Sequence, residues 1–145
     1  RLVLADAIVK AQENKNLDAL VDVATLTGAK VVALGTRYSA VMTNNDDLCA
    51  EFLDVTDVTG EQFWQLPLPE ELRASLDTPI ADIANIGERM GGALVAGLFL
   101  KEFVSIPWLH LDIAGPAYNE AKAYGYTPVG GTGVALRSLI SLFSA

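Results

Sequence analysis

The sequence predicts an α/β sandwich with a largely parallel sheet, and three observations support this fold class. Segments with strand patterning alternate with segments of helical periodicity along the chain, which is typical of strands connected through helices. The predicted strand over 18–24 is almost continuously apolar, as expected for a strand covered on both faces. The 145 residues are 51% hydrophobic and 19% charged, which is enough for one domain with a substantial core.

Periodicity and capping residues define the elements of the first half of the chain. Helices are predicted over 2–13 and 28–34, and strands over 18–24 and 38–43. Asn44 or Asn45 caps a further helix with Asp46 and Asp47 in its first turn, where the helix dipole favours acidic side chains. Cys49 lies on the apolar stripe of this helix and has no basic neighbours, so we interpret it as a core residue rather than a nucleophile.

The second half of the chain alternates irregular segments with apolar elements. We expect a short helix over 70–76, an irregular segment over 77–89, a helix over 91–104, a strand over 108–113, an irregular return over 114–131 and a final helix over 132–144. The helix over 91–104 is apolar nearly all round and contains Gly92 and Gly97, which predicts close packing against a neighbouring element. The final helix is expected to bury an apolar face formed by Leu136, Leu139, Ile140 and Phe143.

Charge and hydropathy narrow the classes of partner. The net charge is −8 and the sequence pI is about 4.4, so we expect no nucleic-acid partner, because an acidic surface repels the phosphate backbone. No apolar run approaches the roughly 18 residues of a membrane-spanning helix, so we expect no membrane association. The chain has one cysteine and no basic-then-apolar leader, which favours a cytoplasmic location.

The segment 22–29 is the strongest candidate for a ligand-binding corner. It joins a predicted strand to a predicted helix and contains Thr25, Thr27 and Gly28 at the junction. The first N–H groups of a helix lack partners within the helix, and in open α/β sheets ligands bind beyond the carboxyl ends of strands. The residues alone therefore predict a generic binding turn, with unpaired N–H groups directed out of the sheet.

Two other groups of residues invite a functional interpretation. Asp22, His110 and Asp112 lie near strand ends and are reasonable ligands for a divalent metal, but we favour hydrogen-bonded structural roles for His110 and Asp112 in a buried strand. The glycine-rich segment 129–133 could cradle a phosphate at the start of the last helix, which leaves open a nucleotide-binding domain. It lacks a P-loop lysine, so we favour a turn and helix cap.

Several short motifs carry a resemblance to a known family. They are residues 1–7 (RLVLADA), 24–29 (ATLTGA), 84–87 (ANIG), 100–104 (LKEFV) and 110–115 (HLDIAG). In order and spacing the chain resembles the leucyl aminopeptidases, the cytosol aminopeptidase family of two-metal exopeptidases, over essentially its whole length. The resemblance implies that residues 1–145 form the C-terminal part of a metallo-aminopeptidase catalytic domain, a three-layer α/β/α sandwich with a mixed, largely parallel sheet.

The resemblance also implies roles for six residues. The family signature is Asn-Thr-Asp-Ala-Glu-Gly-Arg-Leu, and this chain begins at its Arg-Leu, so Arg1 matches the catalytic arginine that holds a bicarbonate. The positions implied to line the substrate pocket or contact the bicarbonate are Thr25, Leu26, Gly28, Ala114 and Ala117. No metal ligand is implied within this chain, since those residues precede the signature arginine.

The implied activity is release of N-terminal amino acids such as leucine from peptides, by metal-assisted hydrolysis with two divalent ions (zinc, manganese or magnesium). We expect the parent protein to be a homo-oligomer, hexameric by resemblance, and the isolated chain to be inactive without its missing N-terminal part. A half-sheet should also expose an edge and an apolar face, which predicts self-association. The alternative is a non-catalytic binding or assembly module derived from the same fold.

Overall fold

A computed structural model describes residues 1–144 as helices surrounding a short sheet. The helices are α1 (Leu2–Ala11), α2 (Gly28–Leu34), α3 (Asp46–Thr59), a 3-10 helix (Glu70–Leu76), α4 (Gly92–Lys101) and α5 (Leu136–Phe143). The strands are β1 (Leu20–Ala24), β2 (Ser39–Thr43), β3 (Phe63–Gln65), β4 (Trp108–Asp112), β5 (Tyr118–Asn119) and β6 (Gly130–Gly131). Strands and helices therefore alternate much as the sequence predicts.

The main sheet has the order β1-β4-β2-β3. β1 pairs with β4 in parallel and β2 pairs with β3 in parallel, whereas β2 and β4 are antiparallel. The predicted mixed, largely parallel sheet is confirmed. The register places Asp22 opposite His110 and Ala24 opposite Asp112, so the polar residues of the two strands lie side by side.

Central strand β4 separates two apolar cores. All five of its residues are buried, and alternate side chains point to opposite faces of the sheet. Trp108 packs in one core with residues of α1 and α4. Leu109 and Leu111 pack in the other with Phe52 of α3 and Ala135, which directly precedes α5. Helices on both faces of the sheet give the predicted three-layer arrangement.

The predicted close packing of the apolar helix is found at Gly97 of α4. A Cβ atom at this position would lie 2.5 Å from Met42 Sδ and 2.8 Å from Leu68 Cδ2. Both distances are far below ordinary van der Waals contact. The absence of a side chain at Gly97 therefore allows β2 and the segment after β3 to approach α4 closely.

The predicted buried face of the last helix is wrong for three of its four residues, of which only Leu139 packs against the core. Leu136, Ile140 and Phe143 are 59%, 58% and 69% exposed, whereas Ser138 is fully buried. The physical reason is a polar anchor: the buried Glu61 carboxylate accepts hydrogen bonds from Ser138 N at 2.9 Å and Ser138 Oγ at 2.5 Å. This contact turns the serine side of α5 inward, and the helix begins only at Leu136.

The chain also exposes the edge and apolar surface that the sequence predicts for a half-sheet. β1 lies at one edge of the sheet, and Val23 within it is 41% exposed. Leu2, Val3 and Val9 of the neighbouring α1 are 60%, 81% and 50% exposed. Among residues 1–144, no helix combines the length and apolar character needed to cross a membrane.

Cys49 provides a test of the predicted core. Its side chain is fully buried, and burial, with a smaller contribution from Asp46, raises the pKa of the thiol to about 11. At pH 8 only about a thousandth of such a thiol is ionised, and the thiolate is the nucleophile. We expect iodoacetamide to leave the Cys49 peptide unmodified in the folded parent protein and to label it fully in urea, as measured by peptide mass spectrometry. Labelling at equal rates in both conditions would contradict the buried position.

Candidate functional site

The junction between β1 and α2 is fastened to the end of β4 by one carboxylate. Asp112 Oδ1 accepts hydrogen bonds from Leu26 N and from Ala114 N, both at 3.1 Å. Asp112 Oδ2 accepts one from Thr27 Oγ1 at 2.8 Å. The Thr27 hydroxyl in turn caps α2 by accepting from Lys30 N at 3.0 Å, which is the usual role of an N-cap threonine. The junction between β1 and α2 is therefore held in place by hydrogen bonds to Asp112, the last residue of β4.

These contacts correct the prediction of unpaired N–H groups at the corner. The Leu26 N–H donates to Asp112 and the Lys30 N–H donates to Thr27, so neither is free for a ligand. The sequence predicted a strand-to-helix turn correctly. It did not indicate that an acidic residue 86 positions further along the chain would occupy one of its donors.

Lys30 is a buried cation that sequence reasoning missed. It is fully buried within α2, and its Nζ donates to Ala114 O at 2.7 Å and to Gly35 O at 3.2 Å. Burial lowers the pKa of Lys30, and the nearby Asp112 carboxylate opposes this shift. A single lysine inside an otherwise apolar helical segment was the available signal, since such a residue needs buried partners.

Polar residues of the paired strands β1 and β4 form a second hydrogen-bonded set. His110 Nδ1 and Asp22 Oδ1 are 2.6 Å apart, and Trp108 Nε1 donates to Asp22 Oδ2 at 2.7 Å. All three residues are buried. The structural interpretation of His110 and Asp112 is confirmed, because Asp22 and Asp112 use their carboxylate oxygens to bind groups of this chain. Within residues 1–144, no cluster of three or more His, Cys, Asp or Glu side chains could hold a metal.

Arg1 lies beside the corner, next to the irregular segment that precedes α4. Its Nη1 donates to Asn85 O at 2.7 Å. Burial lowers the pKa of Arg1, and the Asp112 carboxylate raises it. Arg1, Leu26 and Gly28 line one cavity of about 310 Å³, whose opposite wall includes Gly87. The structure thus brings three of the six predicted site residues together.

The other three predicted residues lie elsewhere. Thr25 and Ala117 line a separate cavity of about 490 Å³, which also contains Arg37 and Lys122. Ala114 is buried, with 8% exposure, and lines neither cavity; its carbonyl accepts from Lys30. The predicted residues are consequently divided between two cavities on either side of the corner.

The glycine-rich segment 129–133 does not form a phosphate cradle at the start of α5. Gly130 and Gly131 form β6, which pairs with β5. Thr132 Oγ1 donates to Pro116 O at 2.6 Å. Because α5 begins beyond this segment, at Leu136, with Ala135 as its N-cap and no side-chain cap, the helix cap that we favoured over a phosphate cradle is wrong as well. The irregular return contains this small hairpin, which its sequence did not predict.

Comparisons with known proteins agree with this architecture. A family model described as the catalytic domain of the cytosol aminopeptidase family matches residues 1–140. The chain belongs to this family. It is 60% identical over 144 residues to a probable cytosol aminopeptidase of Streptomyces avermitilis, covering 98% of this chain and 28% of that protein. The corresponding Streptomyces coelicolor protein is 56% identical over 142 residues, covering 97% and 27%.

Solved structures give the same result. The bottromycin maturation enzyme BotP, in complex with Mn, superimposes with a TM-score of 0.92 at 46% identity, covering 97% of this chain and 32% of that chain. A mutant of tomato leucine aminopeptidase gives a TM-score of 0.90 at 38% identity, covering 97% and 27%. The predicted family and fold are confirmed, and the chain spans less than a third of the length of these relatives.

Gly87 tests whether the Arg1 cavity depends on close backbone packing. A Cβ at Gly87 would overlap Ser75 Oγ, and would lie 2.9 Å from Val95 Cγ1 and 3.0 Å from the Ser75 backbone oxygen. Forced overpacking of this kind costs about 1–3 kcal/mol. We expect Gly87→Ala in the parent protein to lower the melting temperature and to accelerate trypsin cleavage after Arg89. Gly131→Ala is the control, because nothing lies within 4 Å of its added Cβ. Equal melting temperatures for the two variants would contradict the packing argument.

Proposed function

We propose that the protein containing this chain is a metal-dependent aminopeptidase that releases N-terminal amino acids, such as leucine, from peptides. The observation that carries this proposal is the family match over residues 1–140. In this proposal residues 1–145 are the C-terminal part of the catalytic domain. Because the chain covers 28% of its curated relatives, activity requires the rest of the protein, and the isolated chain is inactive.

The proposed reaction is hydrolysis assisted by two divalent ions, with zinc, manganese or magnesium as candidates. One of the similar solved structures, BotP, is a complex with Mn, and this supports the use of a divalent ion. The described residues of this chain do not fit such a centre, because they contain no cluster of metal-ligating side chains. We therefore assign the ligands to residues outside this chain. Divalent ions supply an activated water and stabilise negative charge on the substrate oxygen.

Arg1 is the catalytic residue that we assign to this chain. One guanidinium nitrogen is held by the Asn85 carbonyl, which fixes the side chain beside the corner and leaves its other N–H donors for an anion. A guanidinium with several donors in a fixed fork suits a bound bicarbonate or the oxyanion that develops during hydrolysis. Leu26 lines the same cavity, but its backbone N–H already donates to Asp112, so we do not propose that this N–H binds the bicarbonate as the resemblance implies.

The remaining predicted residues are proposed to shape the substrate pocket. Thr25 and Ala117 line one cavity, and the small side chain of Ala117 leaves space there for a substrate side chain. Gly28 presents backbone without a side chain, and nothing lies within 4 Å of the position that its Cβ would take. Ala114 is proposed to act indirectly. Its carbonyl accepts a hydrogen bond from Lys30, and this contact fixes the end of β4.

Family membership also supports proposals about the assembled protein. We propose a cytoplasmic homo-oligomer, a hexamer as the resemblance implies, in which β1 pairs with a strand of the missing N-terminal part. The edge position of β1 and the exposed apolar residues of α1 support the last point. An inactive parent protein would instead favour the non-catalytic assembly module.

The role of Arg1 is tested by Arg1→Met in the parent protein. Removing a positioned charged donor lowers kcat by about 10²–10³-fold where the group stabilises developing charge, and we expect KM for leucine amide to change little. We also expect added bicarbonate to stimulate the unmodified protein but not the variant.

Arg73→Met is the matched control for Arg1→Met. It removes an arginine whose ion pairs with Glu102 and Asp77 lie on the surface, where such pairs contribute little. A kcat for Arg1→Met equal to that of Arg73→Met would refute the catalytic assignment.

The assigned pocket is tested by Ala117→Met. The larger side chain should fill part of the cavity shared with Thr25, so kcat/KM for leucine amide should fall relative to alanine amide. Loss of space for a few methylene groups changes such ratios by about tenfold or more. Ala123→Met, at an exposed position of the same return, is the control and should leave the ratio unchanged. If both variants keep the original ratio, the substrate side chain binds elsewhere.

A further inference from the structure

A third cavity, of about 670 Å³, contains none of the six predicted site residues. It lies between the start of α5, residues 60–62 after α3, and the return that links β5 to β6. Its volume is within the range of about 300–1,000 Å³ that is usual for small-molecule sites. It adjoins the cavity of Thr25 and Ala117, with which it shares Arg37, Pro116 and Tyr124.

Two arginine–tyrosine stacks form its polar walls. The Arg37 guanidinium carbon lies 4.1 Å from the centroid of the Tyr124 ring. The Arg137 guanidinium carbon lies 3.9 Å from the centroid of Tyr126. Stacking on a ring holds a guanidinium flat while leaving its N–H donors directed sideways. Both arginines are thus held against aromatic faces.

The tyrosines are themselves held in place. Tyr124 and Thr127 exchange two backbone hydrogen bonds, of 3.1 and 2.8 Å, which close a tight turn. The Tyr126 hydroxyl donates to Gly60 O at 2.7 Å, which fastens this turn to the end of α3. A turn fixed at both tyrosines provides a pre-formed wall, and pre-formed walls reduce the entropic cost of binding.

The positive charge of the cavity is incompletely neutralised. Among residues 1–144, Arg37 has no carboxylate within 4.0 Å. Arg137 Nε lies 3.7 Å from Glu61 Oε1, while Glu61 Oε2 accepts two hydrogen bonds from Ser138. Glu61 is the one carboxylate among the lining residues. Two guanidiniums therefore face one carboxylate, although the whole chain carries a net charge of −8.

The rest of the lining is largely apolar or aromatic. Pro116, Val134 and Leu136 contribute apolar surface, and Leu136 is 59% exposed despite its size. A cavity with an excess of oriented guanidinium donors and an apolar floor is complementary to a ligand with one charged oxygen group and an apolar body.

We propose that this cavity binds a small organic anion, with Arg37 and Arg137 contacting a carboxylate or phosphate group and the apolar wall contacting its body. A nucleic acid does not fit, because the surrounding acidic chain repels an extended phosphate backbone. Arg37, Pro116 and Tyr124 also line the cavity of Thr25 and Ala117, whereas Arg137 lines only this one. The Arg137 variant therefore separates anion binding from the proposed peptidase activity.

Matched ligand pairs test the proposal by calorimetric titration of the complete parent protein. N-acetylphenylalanine is the carboxylate probe, and its amide is the neutral control; its blocked amino group prevents it from acting as an aminopeptidase substrate. AMP is the phosphate probe, and adenosine is its neutral control. We expect at least one charged probe to bind about tenfold or more tightly than its neutral partner, with binding weakened by salt. The pair whose charged probe binds more tightly shows whether the anionic group of the ligand is a carboxylate or a phosphate.

Substitution of the arginines locates the binding. Arg137→Gln and Arg37→Gln should each weaken the charged probe by about tenfold, because each removes charge-assisted donors. Lys15→Gln removes the same charge from an exposed residue outside the cavity and should leave the affinity unchanged. Melting temperatures of the variants establish that each is folded. Absence of binding by both charged probes, equal binding of neutral partners, or unchanged affinity in both arginine variants would each overturn the proposal.

Discussion

The candidate site depends on the buried carboxylate of Asp112, at the end of the central strand. It accepts hydrogen bonds from two backbone N–H groups and one hydroxyl, and its charge favours the protonated forms of Arg1 and Lys30. A buried carboxylate is tolerated only when paired and hydrogen-bonded in this way, because removing its partners costs about 3–5 kcal/mol. Strand β4, the corner after β1 and the start of α2 are thereby fixed relative to one another.

The same strand explains why a chain of this length has two cores and a polar centre. Trp108, His110 and Asp112 alternate along β4 with Leu109 and Leu111, so this strand directs its hydrogen-bonding groups to one face of the sheet and only leucines to the other. Asp22 on the neighbouring strand accepts a hydrogen bond from Trp108 Nε1 and pairs with His110 Nδ1. Of the three residues that most resemble metal ligands in the sequence, Asp22 and His110 consequently bind each other, and Asp112 holds the corner.

Two kinds of cationic environment result from this arrangement. Arg1 and Lys30 lie near Asp112 and hold backbone carbonyls, so their positions are set by the sheet. Arg37 and Arg137 lie further out, stacked on tyrosines of a loop, and their positions are set by aromatic faces. Close to the sheet, positive charge stabilises the fold and the proposed catalytic corner. The two arginines that stack on the loop tyrosines are, in our proposal, the ones that bind an external anion.

The sequence by itself determined the alternation of strands and helices, an N-cap at Asn44 or Asn45, the core position of Cys49 and, through its motifs, the family. These features depend on local periodicity or on short motifs. Only the tertiary structure decided which face of α5 is buried, that Lys30 is enclosed, and that the Leu26 N–H is occupied. Each of those outcomes depends on a partner distant in the chain: Glu61 for Ser138, Ala114 for Lys30 and Asp112 for Leu26. Local patterning does not reveal such partners, because a buried polar group is satisfied by whatever the fold brings to it.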